Sequence, residues 1–265
     1  MTVRIGVIGH GAIGRELATA IRDGRAGDAH LAGVLVQTPR EPPPGLPLTA
    51  DATAFFAAPM DAVIECAGHG AVRAHGEAAL RAGADLYVTA VGALADAALR
   101  ARLETAARAA GRRLVIPSAG IGALDILAGA AVGGLDRVRI TVRKDVESWR
   151  GTPAEALCDL GALAEPFEAF RGPVADGAPL YPGNVNISMA TALAGIGPER
   201  TELVIVADPT IATHVVRIEA EGAFGRFAFE EDVLPSDANR KTGRIVAMAL
   251  IKTVRQLSSP LIVGA

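Results

Sequence analysis

Three glycines near the start of the chain carry the first chemical signal. They stand at positions 9, 11 and 14, directly after an apolar run at residues 3–8 and before a helical pattern. In such a strand–turn–helix unit, Gly9 permits a tight turn, Gly11 lets the backbone approach a diphosphate, and Gly14 lets helix and strand pack closely. The helix N-terminus then favours the phosphate charge. The spacing therefore predicts a dinucleotide site in which Ala12 and Ile13 also contact the cofactor.

The end of the second predicted strand bears on the choice between NAD and NADP. An acidic residue there binds free ribose hydroxyls, whereas a neutral residue with a nearby arginine leaves room for a 2'-phosphate. The chain has Gln37 at this place, Arg40 three residues later, and no acid. We therefore expect NAD or NADP as cofactor, with Gln37 at the ribose and NADP at least tolerated. The alternative is that Arg40 is a solvated loop residue.

The end of the third predicted strand adds a second loop to this site. Residues 65–72 (ECAGHGAV) end that strand and begin a helix, so their glycines lie above the cofactor crevice of a parallel sheet. Cofactor contacts are accordingly predicted for Cys66, Ala67, Gly68 and His69. We expect His69 to line the nucleotide site rather than to act as a catalyst.

The elements that must position these residues alternate in type along the first 118 residues. Short apolar runs alternate with longer amphipathic ones, which is typical of consecutive βαβ units. The predicted strands cover residues 3–8, 32–36, 62–66, 86–89 and 114–116, with helices at 12–22 and 71–82. The pattern indicates an N-terminal Rossmann domain at residues 1–118, a doubly wound parallel sheet of the α/β class that binds its ligand at the carboxyl ends of the strands.

The pattern changes after Ser118. A helix at about 123–133 is followed by runs that alternate with period two, at residues 138–142, 202–206, 214–220 and 224–230. This is typical of strands in an antiparallel sheet. We predict a second, α+β domain at residues 119–239, built on a mostly antiparallel sheet, and a last helix at about 240–258 that packs back on the first domain.

Composition excludes several other classes of protein. The 265 residues have a formal net charge of -3, and 4% of them are aromatic, so neither a nucleic acid nor a membrane surface is an expected partner. Cys66 and Cys158 lie outside any metal-ligand spacing, so we predict neither a metal site nor a disulfide. No leader pattern and no long apolar run is recognised, and a cytoplasmic enzyme with a small-molecule substrate is expected.

Ordered motifs along the chain resemble those of the L-aspartate dehydrogenase family. They are GHGAIG (9–14), ECAGHGAV (65–72), VTAVGALAD (88–96), IPSAGIGALD (116–125), RK (143–144), WRGTPAE (149–155), YPGNVN (181–186), ADP (207–209), EGAFG (221–225) and NRKTG (239–243). The resemblance implies a Rossmann domain, an α+β domain that catalyses and dimerises, and a homodimer. It also implies oxidation of L-aspartate to iminosuccinate, or reductive amination of oxaloacetate in reverse.

A small substrate with two carboxylates needs cations and oriented donors. Within the matching motifs, we assign Asn186, Thr152 and Lys241 to substrate binding and Lys144 to the catalytic site. Gly120 and Asn186 are also expected to contact the cofactor. Lys144 is a candidate for proton transfer if no histidine serves.

The chain departs from the family at its Asn-x-His motif, whose histidine is the acid–base catalyst. Counting from Pro209, the Asn position is His214 and the His position is Val216. Residues two apart in a strand share a face, so His214 can present its imidazole to the same pocket from about 6–7 Å away. His214 is therefore the predicted catalytic residue. The alternatives are a structural His214 in a reductase of another imine or oxo acid, or in a catalytically silent nucleotide-binding homologue.

Overall fold

The chain divides into two compact units in the computed structural model. The model describes residues 2–39, 41–182, 186–237 and 239–264. One unit consists of Met1–Ala119 together with Val246–Ala265, and the other is Gly120–Ile245. Among the described residues, no helix has both the length and the hydropathy to span a membrane.

The first unit is built on a parallel sheet. Its strands are β1 (Val3–Ile8), β2 (Ala29–Leu35), β3 (Leu48–Thr49), β4 (Ala62–Glu65), β5 (Asp85–Val88) and β6 (Leu114–Val115). Their order is β3-β2-β1-β4-β5-β6, and every neighbouring pair is parallel. The chain proceeds outward from β1 in both directions, so the switch point of the doubly wound sheet lies between β1 and β4. The predicted Rossmann fold is confirmed.

The first unit contains four α-helices that come before the second unit in the chain. They are α1 (Ala12–Arg22), α2 (Ala52–Ala57), α3 (His69–Arg81) and α4 (Ala97–Ala110). Helix α1 buries Leu17, Ala18 and Ile21 on one face against the core of the sheet, as its apolar spacing requires. Helix α4 ends at Gly111, whose φ of +61° is a left-handed conformation that glycine adopts without strain.

The second unit is built on a mixed sheet. Its strands are β7 (Leu135–Lys144), β8 (Phe167–Pro173), β9 (Glu202–Ala207), β10 (His214–Gly222) and β11 (Gly225–Val233), and a separate pair is formed by β12 (Pro235–Ser236) and β13 (Asn239–Gly243). The order of the large sheet is β11-β10-β7-β9-β8. The pair β7–β9 is parallel, and the three others are antiparallel. The predicted mostly antiparallel sheet is confirmed.

The described part of the second unit has four α-helices, which are α5 (Leu124–Val132), α6 (Ala154–Leu157), α7 (Val174–Leu180) and α8 (Asn186–Ala194). Helices α5, α7 and α8 pack on one face of the sheet. Leu127 of α5 packs on Val138 and Ala220, which belong to β7 and β10. Along β10, alternate residues from His214 to Ala220 are buried, while the residues between them are partly exposed. This alternation places His214 and Val216 on the helix-covered face.

The last helix, α9 (Ile245–Ser258), belongs to the first unit. Its Leu250, Ile251 and Val254 lie in the same core cluster as residues of β1 and α1. The prediction that this helix begins near residue 240 is wrong, because residues 239–243 form strand β13. This segment (NRKTG) has no apolar residue to bury on a helix face, and it pairs with β12 instead.

Candidate active site

The glycine-rich turn has the shape that a diphosphate site needs. Gly9 has a φ of +97°, and a Cβ there would lie 2.7 Å from the Cβ of Ala67. A Cβ on Gly14 would overlap the carbonyl oxygen of Gly9. At Gly11, which caps the N-terminus of α1, a Cβ would meet no described atom within 4 Å. Gly9 and Gly14 thus set the backbone of the turn, and Gly11 leaves open space beside the first N–H groups of α1, which fits a bound diphosphate.

The predicted ribose-binding residues lie beyond the end of β2. Gln37 is exposed and follows the last strand residue, Leu35, by two positions. Arg40 lies outside the residues that the structure describes. The assignment of Gln37 to the ribose therefore stays a prediction.

Glu65, the last residue of β4, organises the second loop of this site. Its side chain is buried, and Oε1 accepts hydrogen bonds from the backbone N–H groups of Ala67 (2.7 Å) and Gly68 (2.6 Å). Oε2 accepts from the N–H groups of Ala90 (3.0 Å) and Thr89 (3.3 Å). The carboxylate therefore joins the loops that follow β4 and β5, at the edge of the sheet where a dinucleotide binds.

The sequence-based assignments missed Glu65, although they included its neighbours. Ala67 and Gly68 are held by the carboxylate, Gly68 has a φ of +125°, and His69 is the first residue of α3. Burial raises the pKa of the Cys66 thiol well above its ordinary range, so this thiol is neutral and packs against the core as an apolar group. The sequence did contain a signal for this role of Glu65. An acidic residue at the end of an apolar strand is buried, and a buried carboxylate requires hydrogen-bond donors.

Replacement of Glu65 tests this organising role. Glu65→Ala leaves four N–H groups without their acceptor, and we expect it to lower the free energy of unfolding by about 2 kcal/mol. Cofactor binding should weaken in parallel, because the loops after β4 and β5 lose their connection. Urea unfolding and a fluorescence titration with NADH measure the two effects. The matched control is Glu104→Ala, which removes an exposed ion pair with Arg108 and should change neither.

In the second unit, the sheet brings the two predicted catalytic residues together. Lys144 ends β7 and His214 begins β10, and the two are direct partners across the antiparallel pair. Both are 4% exposed. Directly opposite residues of an antiparallel pair share a face and have Cβ atoms about 4.5–5.5 Å apart. A buried ammonium and an imidazole thus stand side by side, seventy positions apart in the chain.

The imidazole of His214 is held by a short polar chain. Ser148 Oγ donates a hydrogen bond to Asp145 Oδ2 over 2.9 Å. Ser148 Oγ also lies 3.5 Å from His214 Nε2. Ser148 therefore connects the imidazole of His214 with the carboxylate of Asp145.

Trp149 anchors the loop that carries these groups. The side chain is fully buried, its Nε1 donates to the carbonyl oxygen of Val206 over 3.1 Å, and its ring packs edge-on against Tyr181. The Lys144 ammonium lies 5.8 Å from the centre of the indole ring, a favourable place for a cation. Thr152 Oγ1 donates to the carbonyl oxygen of Trp149 over 2.6 Å, so its hydroxyl stabilises this loop.

For the remaining predicted residues, the structure gives a position in the fold but no contact that tests their roles. Asn186 is the first residue of α8, and Gly120 lies in the segment before α5. The side chain of Lys241 lies outside the described part of the chain. The substrate-binding roles of Thr152, Asn186 and Lys241 and the cofactor contact of Gly120 stay predictions.

A Rossmann sheet whose glycine turn has the shape of a diphosphate site, followed in the same chain by an α+β unit, is the architecture of a class of NAD(P)-dependent oxidoreductases. Residues 125–257 match the family model of the aspartate dehydrogenase C-terminal domain. Residues 9–117 match that of the homoserine dehydrogenase NAD-binding domain. An L-aspartate dehydrogenase of Ruegeria pomeroyi is 42% identical over 96% of this chain and 92% of its own length. The chain belongs to the aspartate dehydrogenase family, whose members are NAD(P)-dependent oxidoreductases that act on an amino donor.

A further relative belongs to the same family, and two solved structures share the fold. L-aspartate dehydrogenase 2 of Bordetella bronchiseptica is 37% identical over 97% of both chains. The crystal structure of aspartate dehydrogenase from Thermotoga maritima superposes with a TM-score of 0.80 at 23% identity, covering 99% of both chains. An amine dehydrogenase from Mycobacterium smegmatis superposes with a TM-score of 0.56 at 12% identity, over 95% of this chain and 91% of that one. The fold is thus shared along the entire chain.

Proposed function

We propose that this protein is an NAD(P)-dependent L-aspartate dehydrogenase. It would oxidise L-aspartate to iminosuccinate, which water converts to oxaloacetate and ammonia, or run the reverse reductive amination. The observation that carries the proposal is the full-length similarity to proteins of that name, 42% identical over 96% of the chain. Lys144 lies in a motif that resembles the family, whereas His214 stands two residues before the family's histidine position.

The chemistry of the pair fits a dianionic amino acid. The side-chain nitrogen of Lys144 is a hydrogen-bond donor of the kind that binds a substrate carboxylate. An imidazole such as that of His214 can both donate and accept a proton, as the addition of water to an imine requires. When bound, the nicotinamide accepts a hydride from the carbon that carries the nitrogen. The residues of this chain have to bind the carboxylates, orient that carbon and move protons.

The direct test is the oxidation of NADH and NADPH in the presence of oxaloacetate and ammonia. We expect turnover that requires both, with none when ammonia is omitted or when pyruvate replaces oxaloacetate. Turnover with other oxo acids or amines alone would favour a related reductase, which the apolar Val216 at the family's histidine position supports. Tight cofactor binding without any turnover would identify a silent nucleotide-binding homologue.

The choice of cofactor is tested at Gln37. A carboxylate there binds free ribose hydroxyls and repels a 2'-phosphate, so we expect Gln37→Asp to shift the ratio of kcat/KM values about tenfold toward NAD. Steady-state kinetics with both cofactors measure the ratio. Gln37→Asn, which adds no charge, is the control. An unchanged ratio in Gln37→Asp would mean that the ribose lies elsewhere.

We also propose that the enzyme acts in the cytoplasm as a homodimer. Cys66 and Cys158 are free thiols, which suits a reducing compartment. Apolar side chains such as Leu157 and Leu180 are exposed in the second unit, and a partner subunit would cover such groups. Light scattering during gel filtration measures the mass in solution, and a monomer would refute the dimer.

A further inference from the structure

An acidic side chain stands opposite the family's histidine position. Glu231 of β11 is the direct partner of Val216 in β10. Directly opposite residues share a face of the sheet, so Glu231 points to the helix-covered side with Phe229 and Val233 of its own strand. Its neighbours Glu230 and Asp232 are exposed on the other face. Glu231 is thus an ionisable group in an otherwise apolar row.

The carboxyl group of Glu231 has one partner and one open oxygen. Oε2 accepts a hydrogen bond from the N–H of Gly122 over 3.3 Å. Oε1 is buried, and no hydrogen-bond partner for it lies among the described residues. Burial raises the pKa of Glu231 to about 7, and the Gly122 N–H opposes this rise. The group therefore changes its protonation in the physiological range, and one of its oxygens accepts no hydrogen bond from a described residue.

The surroundings of Glu231 are formed by β10, β7, residues 120–122 and β13. On β10, His214 is its diagonal neighbour, two residues from Val216, at a distance of about 7–8 Å. On β7, Lys144 is one strand further away, opposite His214. Residues 120–122, which supply Gly122, contain no ionisable side chain. Strand β13 packs on Val233 through Gly243, and its Lys241 lies outside the described side chains.

We propose that Glu231 is a proton-transfer residue of this enzyme, whose open Oε1 takes a proton from the ammonium group of the substrate. The assignment rests on the proposed aspartate dehydrogenase function. A lysine, a histidine and a carboxyl group then line one face of three neighbouring strands. Lys144 would bind a carboxylate, Glu231 would bind and deprotonate the ammonium, and His214 would serve the water step.

The proposed oxidation removes one proton and one hydride from the substrate. One N–H bond of the ammonium breaks, its electron pair stays on nitrogen, and the proton passes to Glu231. The C–H bond on the same carbon then breaks, and its electron pair leaves with the hydrogen as hydride for the oxidised nicotinamide, which is reduced. The nitrogen lone pair completes the C=N bond, so the substrate carbon is oxidised. A base whose pKa lies near the working pH suits the first transfer.

Glu231→Gln keeps the shape of the side chain and removes the acid. We expect kcat/KM for L-aspartate to fall about thirtyfold and its rise with pH around 7 to disappear, because a neutral amide accepts no proton. Cofactor affinity should not change. Glu230→Gln is the matched control, since it alters an exposed acid on the opposite face of the same strand and should leave the pH profile as in the wild type.

A second measurement needs no turnover. The enzyme loaded with reduced cofactor cannot oxidise L-aspartate, and ammonium binding to Glu231 favours its ionised form. At pH 7, we expect binding of L-aspartate to release about half a proton in the wild type and none in Glu231→Gln. Succinate, which lacks the ammonium, should release none from either. Calorimetry in two buffers of different ionisation enthalpy measures the protons.

The outcomes separate this assignment from the proposed function. If the wild type oxidises L-aspartate and Glu231→Gln keeps its pH profile and its proton release, Glu231 is a structural residue and the assignment fails alone. If the wild type neither binds nor oxidises L-aspartate, the proposed substrate is wrong and the assignment falls with it. Loss of both the rise with pH and the proton release, in a variant that unfolds at the wild-type temperature, supports it.

Discussion

Gly11→Val is expected to weaken binding of NADH and NADPH by about a hundredfold while the protein stays folded. A Cβ at Gly11 meets no described atom, so the branched side chain fits the free protein. It occupies the space beside the N-terminus of α1, where the diphosphate would receive backbone hydrogen bonds. A fluorescence titration measures the affinity, and thermal unfolding checks the fold.

Gly14→Ala is the matched control for this prediction. Its Cβ would overlap the carbonyl oxygen of Gly9, so the turn itself has to shift. We expect a lower unfolding temperature for this variant, in contrast to Gly11→Val. Unchanged cofactor affinity in a folded Gly11→Val protein would show that the nucleotide is bound elsewhere.

His214→Ala is expected to lower turnover by about a hundredfold or more while cofactor binding stays intact. The imidazole is buried beside Lys144 and contacts Ser148, so its loss removes a proton-exchanging group from the sheet face. Steady-state kinetics and a cofactor titration measure the two effects. An unchanged rate would make His214 a structural residue and leave proton transfer to Glu231, Lys144 or water.

The family arrangement can be restored to test what this chain has changed. His214→Asn combined with Val216→His returns the imidazole to the position opposite Glu231. We expect this double variant to recover or exceed the wild-type activity on aspartate. If the wild type is inactive on aspartate and the double variant creates the activity, the natural substrate is a different one.

The parts of the fold that are local in sequence could be predicted. Strand β1 and helix α1 have the predicted bounds, because a buried strand and an amphipathic helix each carry a clear period. Strand β3 has two residues and follows a proline-rich segment, so it has too few positions for a pattern to be visible. The last helix was predicted to begin at about residue 240, whereas residues 239–243 pair with β12 as a strand.

In the candidate site too, features that are local in sequence could be predicted, and features that depend on the pairing of distant residues could not. The glycine turn could be predicted because its residues are close in sequence and each has a steric task. The pairing of Lys144 with His214 depends on sheet register, and the hydrogen bonds of Glu65 join two loops, so a linear pattern shows neither. Glu231 was missed because the strand was predicted to end at Glu230. The alternation of Phe227, Phe229, Glu231 and Val233 carried the signal.

The position of α9 imposes an order on the biosynthesis of this enzyme. Leu250, Ile251 and Val254 complete the core of the first unit, yet the ribosome makes them after the whole of the second unit. Residues 1–119 therefore emerge with part of their apolar core uncovered, and the helix that closes this core is made only after the second unit. The nascent Rossmann sheet is thus a candidate client for chaperones until α9 docks, and a premature stop before α9 would leave it open to aggregation.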